Sequence, residues 1–480
     1  MAKRRGSPLV VANGINGVTG QYAVAPQPLK DLARALKKAP DAERAPHHVV
    51  QRGQKLKERA FTRALPWGVE PHDVTRAGWA VVFHEDESPA VRHALKPLIE
   101  HRRRQVGTDT LVKELVYQNG ESASAWLARH DVSWHNVVPG KVPYYLLWAG
   151  SPARLPFEVT HEIDSDYCVG LLDFQTADEY ARYASSVIEY ETAQGVATAK
   201  EVVYFGTRHP FDDATALSAD WLVAPLANGT ASDPAVAPQL GFRQRALVGP
   251  AATRQALLQE FAGVPGRPAV LFTASHGMVW PSGDPNQLAA QGALLCQDFP
   301  GFGAVLPSHF VTGGDIADTA RVHGLVSFHF ACYGGGTPRD DLYAFELDQA
   351  VPMIAPAPFM AALPRRLLAH PGGGALACIA HVERAWGSSI TGVAASPQIR
   401  AFQRALATLL VGKPAGVAVQ EFNDLSATLS EILARLLGDV ARKKAVDDGE
   451  LVSTWTARND AGGFVLIGDP AVRLRVNDLL

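Results

Sequence analysis

The sequence predicts an α/β protein built from two similar α/β halves with mostly parallel sheets. Three observations lead there. Short apolar runs bounded by glycine, such as 269–274 and 325–331, read as buried parallel strands, because a strand covered on both faces is apolar throughout. From position 78 onward such runs alternate with helical stretches, the pattern that builds a parallel sheet. Finally, an apolar strand followed by Gly150-Ser151-Pro152-Ala153 recurs as an apolar strand followed by Gly468-Asp469-Pro470-Ala471. This reads as a weak internal repeat, two α/β units side by side.

Composition bounds the function. A length of 480 residues suits two to four domains with ample apolar content. A formal net charge of −3 provides no basic field, so no nucleic-acid partner is expected. Cys168, Cys296, Cys332 and Cys378 are too few and too scattered for a disulfide framework, which fits a reducing compartment. The basic start, Met1 to Arg5, is followed by a stretch interrupted by Asn13, Gly14, Asn16 and Gly17, a poor signal peptide. No apolar run is long enough to span a bilayer, so no membrane partner is expected and the expected location is cytoplasmic. No motif calls for a cofactor.

Along the chain, Leu9-Val10-Val11-Ala12 reads as a strand, and Gly14, Gly17 and Gly20 as a structural turn. The glycine spacing misses the dinucleotide fingerprint, and no Walker lysine follows. Residues 28–38 form an amphipathic helix through Leu29, Leu32 and Leu36, and residues 39–68 a surface connection. A strand at 78–83 precedes a helix over 89–104, whose basic end, His101 to Arg104, reads as a solvated helix terminus. Residues 142–149 form a strand, 176–192 a helix, 202–205 a strand, and 221–238 a loop-rich stretch. Residues 374–380 form a further strand ending at His381, and helices are expected over about 396–411 and 420–444.

The reactive residues lie at two strand ends. One strand runs into Ser275-His276-Gly277, the other into Ala331-Cys332-Tyr333-Gly334. Open α/β sheets bind ligands beyond the carboxyl ends of their strands, so the histidine and cysteine can meet there. An imidazole beside a thiol takes its proton, keeps the thiolate and later protonates a leaving amine. The N–H groups of Gly277 and Cys332 are candidates for an oxyanion hole, and glycine leaves room for a substrate backbone. His276 precedes Cys332 by 56 positions, close to the caspase arrangement, in which the histidine lies about 50 residues before an Ala-Cys-x-Gly core.

With these residues the chain resembles the gingipain-like cysteine peptidases of the caspase-like clan. The likeness extends from Trp79 to Leu474 and includes Asp166 to Gly170, Val187 to Glu191 and Leu466 to Pro470. The resemblance implies a caspase-hemoglobinase-like fold with a non-catalytic α/β subdomain over 71–200 and a catalytic subdomain over 201–480, after an extension (1–70) of unassigned role. It implies cleavage after Arg or Lys, with Asp220 as the acid at the base of the specificity pocket and Trp386 as its apolar wall. The family's histidine-orienting glutamate has no glutamate counterpart here. That place falls at His209, with Asp212 and Asp213 nearby, and leaves the orienting group open.

No metal site is expected: His329 and Cys332, three apart, face opposite sides of a strand, and there is no Cys-x-x-Cys pair. The functional expectation is an intracellular cysteine endopeptidase with catalytic His276, Cys332 and Gly277 and substrate-binding Asp220 and Trp386. Its partners would be a protein or peptide substrate and a small-molecule activator, nucleotide-derived for one. Held inactive until triggered, such a protein suits a bacterial cell-suicide or antiphage defence role, as the resemblance implies. The alternative is a non-enzymatic signalling or scaffold protein on the same fold that binds a small-molecule signal.

Overall fold

A computed structural model of the chain describes residues 8–38, 64–231, 233–301, 303–341, 343, 352–390 and 398–480. Much of the expected surface connection at 39–68 lies outside the described residues.

Ten strands form one continuous sheet. In chain order they are β1 (Trp79–His84), β2 (Val112–Tyr117), β3 (Tyr145–Ala149), β4 (Cys168–Leu172), β5 (Ala199–Gly206), β6 (Arg243–Val248), β7 (Pro268–Ala274), β8 (Val326–Phe330), β9 (Ala377–His381) and β10 (Phe464–Gly468). Their spatial order is β2-β1-β3-β4-β10-β9-β8-β7-β5-β6. Every adjacent pair is parallel except β9 and β10, which run antiparallel with Ile379 opposite Leu466. The sheet is therefore two parallel five-stranded blocks meeting along one antiparallel seam. Each block has the same order, second-first-third-fourth-fifth, once the C-terminal strand β10 is counted as the fifth of the first block. The two similar α/β halves are thus present, joined through one sheet. The repeated Gly-x-Pro-Ala turns follow β3 and β10, which both belong to the first block. They are not equivalent strands of the two halves, so that sequence match pointed to the right architecture through the wrong pair.

Burial follows the apolar pattern. Strands β1, β3, β4, β7, β8, β9 and β10 are buried at every residue, whereas the edge strands β2 and β6 alternate or face solvent. Charged residues on these edges, Lys113, Glu114, Arg243 and Arg245 among them, discourage pairing with another chain. The helix at Ala177–Thr192 starts where a capping box predicts, with Thr176 and Glu179 satisfying each other's backbone N–H groups.

Several expectations need correction. The basic helix end is only partly solvated: Arg104 is exposed, but His101 and Arg102 are buried. Arg102 is fully buried, its Nε donating to Asp469 at 2.8 Å and its Nη atoms to Glu191 at 2.6 and 2.9 Å. Trp79 Nε1 also donates to Asp469, so this ion network ties the Ala177–Thr192 helix to the end of β10. Burial alone would raise the pKa of Glu191, but Arg102 and His101 outweigh it and hold the carboxyl at about 2. The stretch at 221–238 contains a π-helical turn, Ser218–Val223, and short helices at Ala224–Asn228 and Val236–Gln239. The two late helices are Arg400–Leu410 and Ala415–Ala441, and a third follows at Asp448–Gly462. That third helix buries Arg458, Asn459 and Asp460, so its core face does not read as apolar.

A second, small sheet positions the site. Gly277–Val279 follows β7 directly, pairs antiparallel with Leu294–Leu295, and pairs parallel with Gly14–Asn16. The N-terminal stretch is thereby stitched onto the loops beyond β7.

Candidate active site

His276 and Cys332 lie just past the ends of β7 and β8. These neighbouring parallel strands run in register up to Ala274 opposite Phe330, so the next residues but one are the histidine and the cysteine. Asp212 lies beyond β5, the strand on the other side of β7. Strand order reverses between β5 and β7 relative to chain order, and that is where open α/β sheets place their ligands. The sheet thus brings three chemistry-bearing residues to its carboxyl edge from three adjacent strands.

The histidine is oriented by a carboxylate. His276 Nε2 lies 2.5 Å from Asp212 Oδ2 in a buried contact. Asp212 is itself fixed: it caps the short helix Asp213–Leu217, accepting from Ala214 N, and it accepts from Thr215 Oγ1 and the Tyr22 hydroxyl. Burial would raise its pKa, but His276 and these hydrogen bonds outweigh burial and keep the carboxyl well below the usual range. In the tautomer that donates Nε2–H to Asp212, the lone pair is on Nδ1. Nδ1 is buried and has no hydrogen-bond partner among the described residues, which leaves it free to act as a base.

His209 takes no part in that contact. Its ring packs on Phe211 and Phe299, and burial first, then the nearby His276, push it down to about 4. Of the three residues left open by the sequence, Asp212 is the one that touches the histidine. The sequence carried only a partial signal: the Asp212-Asp213 pair before Ala214-Thr215-Ala216 offers a helix cap, and Asp212 is the one that takes it.

Cys332 is 1% exposed, and burial pushes its thiol up to about 12. Ala385 N donates to Sγ at 3.2 Å, and Sγ faces Ala385 O at 3.6 Å. Tyr333, next in sequence, adopts φ 59°, which turns the chain sharply after the cysteine.

The two proposed oxyanion donors converge. Gly277 N and Cys332 N both donate to a single oxygen, the main-chain carbonyl of Asn13, at 2.9 and 3.2 Å. Glycine is required at 277: a Cβ there would lie 1.8 Å from Cys332 O. Asn13 and Tyr22, whose ring stands edge-on to His276 at 5.7 Å, gave no signal as site residues in the sequence.

The pocket residues are placed differently. Asp220 is about half exposed and forms a bidentate pair with Arg208, both N···O distances 2.9 Å. Trp386 is buried edge-on against Trp455 at 5.2 Å and near Tyr343. Its neighbour Ala385 bonds both Cys332 and Asn13 N, so Trp386 flanks the crevice through the main chain. His329 is a satisfied core histidine, bonded to Thr273 and Ser327 at 2.8 Å each, and burial lowers it to about 3. Glu383 and Asp341 both pair with Arg384.

No protein-family model matches the chain, and no curated protein matches it. Among solved structures, the chain is similar to one described as a protease, with 10% identity over 82% of this chain and 78% of that one and a TM-score of 0.46. It is also similar to the Arg specific cysteine proteinase gingipain R, with 12% identity, 85% and 81% coverage and a TM-score of 0.43. A third similarity is to the complex of Porphyromonas gingivalis RgpB pro- and mature domains, at 12% identity, 83% and 80% coverage and a TM-score of 0.39.

Proposed function

We propose that the protein is a cysteine endopeptidase in which Cys332 is the nucleophile and His276 the general acid–base. The observation that carries this reading is the pair of N–H groups, Gly277 and Cys332, converging on one carbonyl oxygen beside the thiol. Two such donors are what a tetrahedral oxyanion requires.

In the reaction, His276 Nδ1 takes the Sγ proton and the thiolate attacks the substrate carbonyl carbon. The oxygen gains charge between Gly277 N and Cys332 N. The C–N bond then breaks, the amine leaves with the proton from His276, and the acyl group stays on sulfur as a thioester. Water, deprotonated by Nδ1, hydrolyses the thioester and returns the thiol. Asp212 holds the imidazole in the tautomer that makes Nδ1 basic and stabilises the imidazolium.

The resting state is closed, because His276 and Cys332 are both buried. Activity in the cytoplasm would therefore be conditional, as a cell-suicide or antiphage effector needs. A cavity lined by Arg400 and Arg404 together with Glu421, Asp424 and Asp460 is the candidate place for a small-molecule activator. Asp460 accepts from Trp386 N and Ser389 Oγ, next to the main chain that holds the crevice shut.

Cleavage after Arg or Lys, the specificity attached to Asp220, requires the incoming side chain to displace Arg208 from that carboxylate. Profiling a peptide library with activated protein and with Asp220→Ala decides it. A basic preference that disappears in the variant keeps Asp220 in the pocket; its persistence, or its absence from the wild type, removes Asp220. For the reaction itself, Cys332→Ala abolishes cleavage while Cys296→Ala and Cys378→Ala retain it. Cleavage surviving in Cys332→Ala would refute Cys332 as the nucleophile, whereas no cleavage by activated wild-type protein would leave the scaffold reading as the better account.

A further inference from the structure

The carbonyl held by the two donors belongs to the chain's own residue 13, and the segment around it runs through the crevice with a bend at that residue. Before it, Val11 N donates to Ser388 Oγ at 2.9 Å and Asn13 N to Ala385 O at 2.8 Å. After it, Gly14–Asn16 pairs in parallel with Gly277–Val279, with Gly14 opposite Gly277. Gly14 rests on the sulfur: a Cβ built there would lie 3.3 Å from Cys332 Sγ. The backbone is thus hydrogen-bonded on both sides of the peptide bond between Asn13 and Gly14, and that bond sits at the reacting position.

The side chain before the bond is fully buried. Asn13 is 0% exposed, and its amide faces Gly387, where a Cβ would come within 2.7 Å of Oδ1. Neither amide atom has a hydrogen-bond partner among the described residues. The pocket therefore admits a short, uncharged side chain without offering it an ion pair. A buried amide left unsatisfied costs free energy, so the segment is held chiefly by its backbone and can be displaced.

We propose that residues 11–16 occupy the groove as a peptide substrate does, and that the site takes peptides with asparagine at the cleavage position and glycine after it. This rests on the peptidase reading above. The segment is a tethered competitor, and Tyr22, on the same segment, bonds the acid that orients His276. Lifting the segment exposes thiol, imidazole and donors together.

Two glycines outside the catalytic groups hold the segment down. A Cβ at Gly17 would lie 2.5 Å from the Trp280 ring, and one at Gly20, where φ is 68°, would lie 1.9 Å from Gly303 O. Gly17→Leu and Gly20→Ala, made in the full chain, should unlatch it. Two readouts separate this inference from the reaction. The first is the iodoacetamide labelling rate of Cys332, followed by peptide mass spectrometry, which does not depend on catalysis. The second is cleavage of quenched peptides Val-Val-Ala-Xaa-Gly-Ile-Asn with Xaa as Asn, Arg, Asp or Ala.

The expected result is labelling at least tenfold faster than wild type in both variants, with unchanged near-UV circular dichroism. Cleavage should fall between Asn and Gly, at least tenfold faster than for the Arg peptide, and a synthetic peptide of residues 9–22 should inhibit competitively. Unchanged labelling in two folded variants would overturn the occupancy and leave the peptidase reading standing. Faster labelling with no peptide cleaved would overturn the peptidase reading, and the substrate class with it. Preference for the Arg peptide would overturn the substrate class alone.

Discussion

Replacing Asp212 with asparagine changes one atom and reverses two hydrogen bonds. Asp212 Oδ1 accepts from Ala214 N and the Tyr22 hydroxyl, so in the variant this position must remain the carbonyl oxygen. The amide nitrogen then falls at the Oδ2 position, facing His276 Nε2 and Thr215 Oγ1. An NH2 group there donates to Nε2, which must present its lone pair, and the ring proton moves to Nδ1. A protonated Nδ1 on a neutral ring cannot accept the thiol proton. The analogous wrong-tautomer variant of a serine triad loses about 10^4 in kcat. A thiol ionises more readily than a serine hydroxyl, so the loss expected here is about 10^3-fold, which is about 4 kcal/mol of barrier. Because Asp212 acts through His276, kcat should fall with little change in KM. The assay is steady-state cleavage of a quenched peptide in the Gly17→Leu background, with melting midpoints to establish folding. A kcat within tenfold of that background would refute the assignment of Asp212 as the positioning residue.

Two further outcomes follow from the geometry. Glu191 has its carboxyl held at about 2, below its ordinary value near 4.5, so its contribution to stability is present above pH 4.5 and lost as the pH falls to about 2. That contribution is about 3 kcal/mol, and denaturant titrations across this window should show a shallower acid limb for Glu191→Gln than for wild type; parallel limbs would contradict the buried pair. Gly277→Ala should drive the chain after β7 away from Cys332 O, misplace an oxyanion donor and cost at least about 10^2 in kcat, read by the same peptide assay in folded protein; full activity would remove Gly277 from the donor pair.

What the sequence made legible was local and periodic. β7 and β8 carry continuous apolar runs into Ser-His-Gly and Ala-Cys-Tyr-Gly, and the placing of His276 and Cys332 at strand ends follows from strand length and glycine, whereas the adjacency of the two strands is set by the order of the sheet. The orienting group stayed open because it depends on which of several polar residues after β5 turns inward, and a tertiary contact with Thr215 and Tyr22 decides that. Arg102 read as solvated because its partners, Glu191 and Asp469, lie far along the chain. Asp220 was placed as a pocket acid through the family resemblance, and its pairing with Arg208, twelve residues earlier, is a tertiary contact the sequence does not announce. The occupant of the crevice was the least legible feature. Val11 to Asn16 reads as a strand and a glycine turn, and its partner is a three-residue strand more than 260 positions away.

The central claim is that Cys332 is a nucleophile activated by His276. A peptidyl acyloxymethyl ketone carrying Val-Val-Ala-Asn, incubated with the Gly17→Leu protein, tests it directly by intact-mass and peptide mass spectrometry. The account predicts one adduct per chain, on Cys332, forming at least 10^2-fold more slowly when His276→Ala is added. An adduct on Cys168, Cys296 or Cys378, or a rate indifferent to His276, would contradict it.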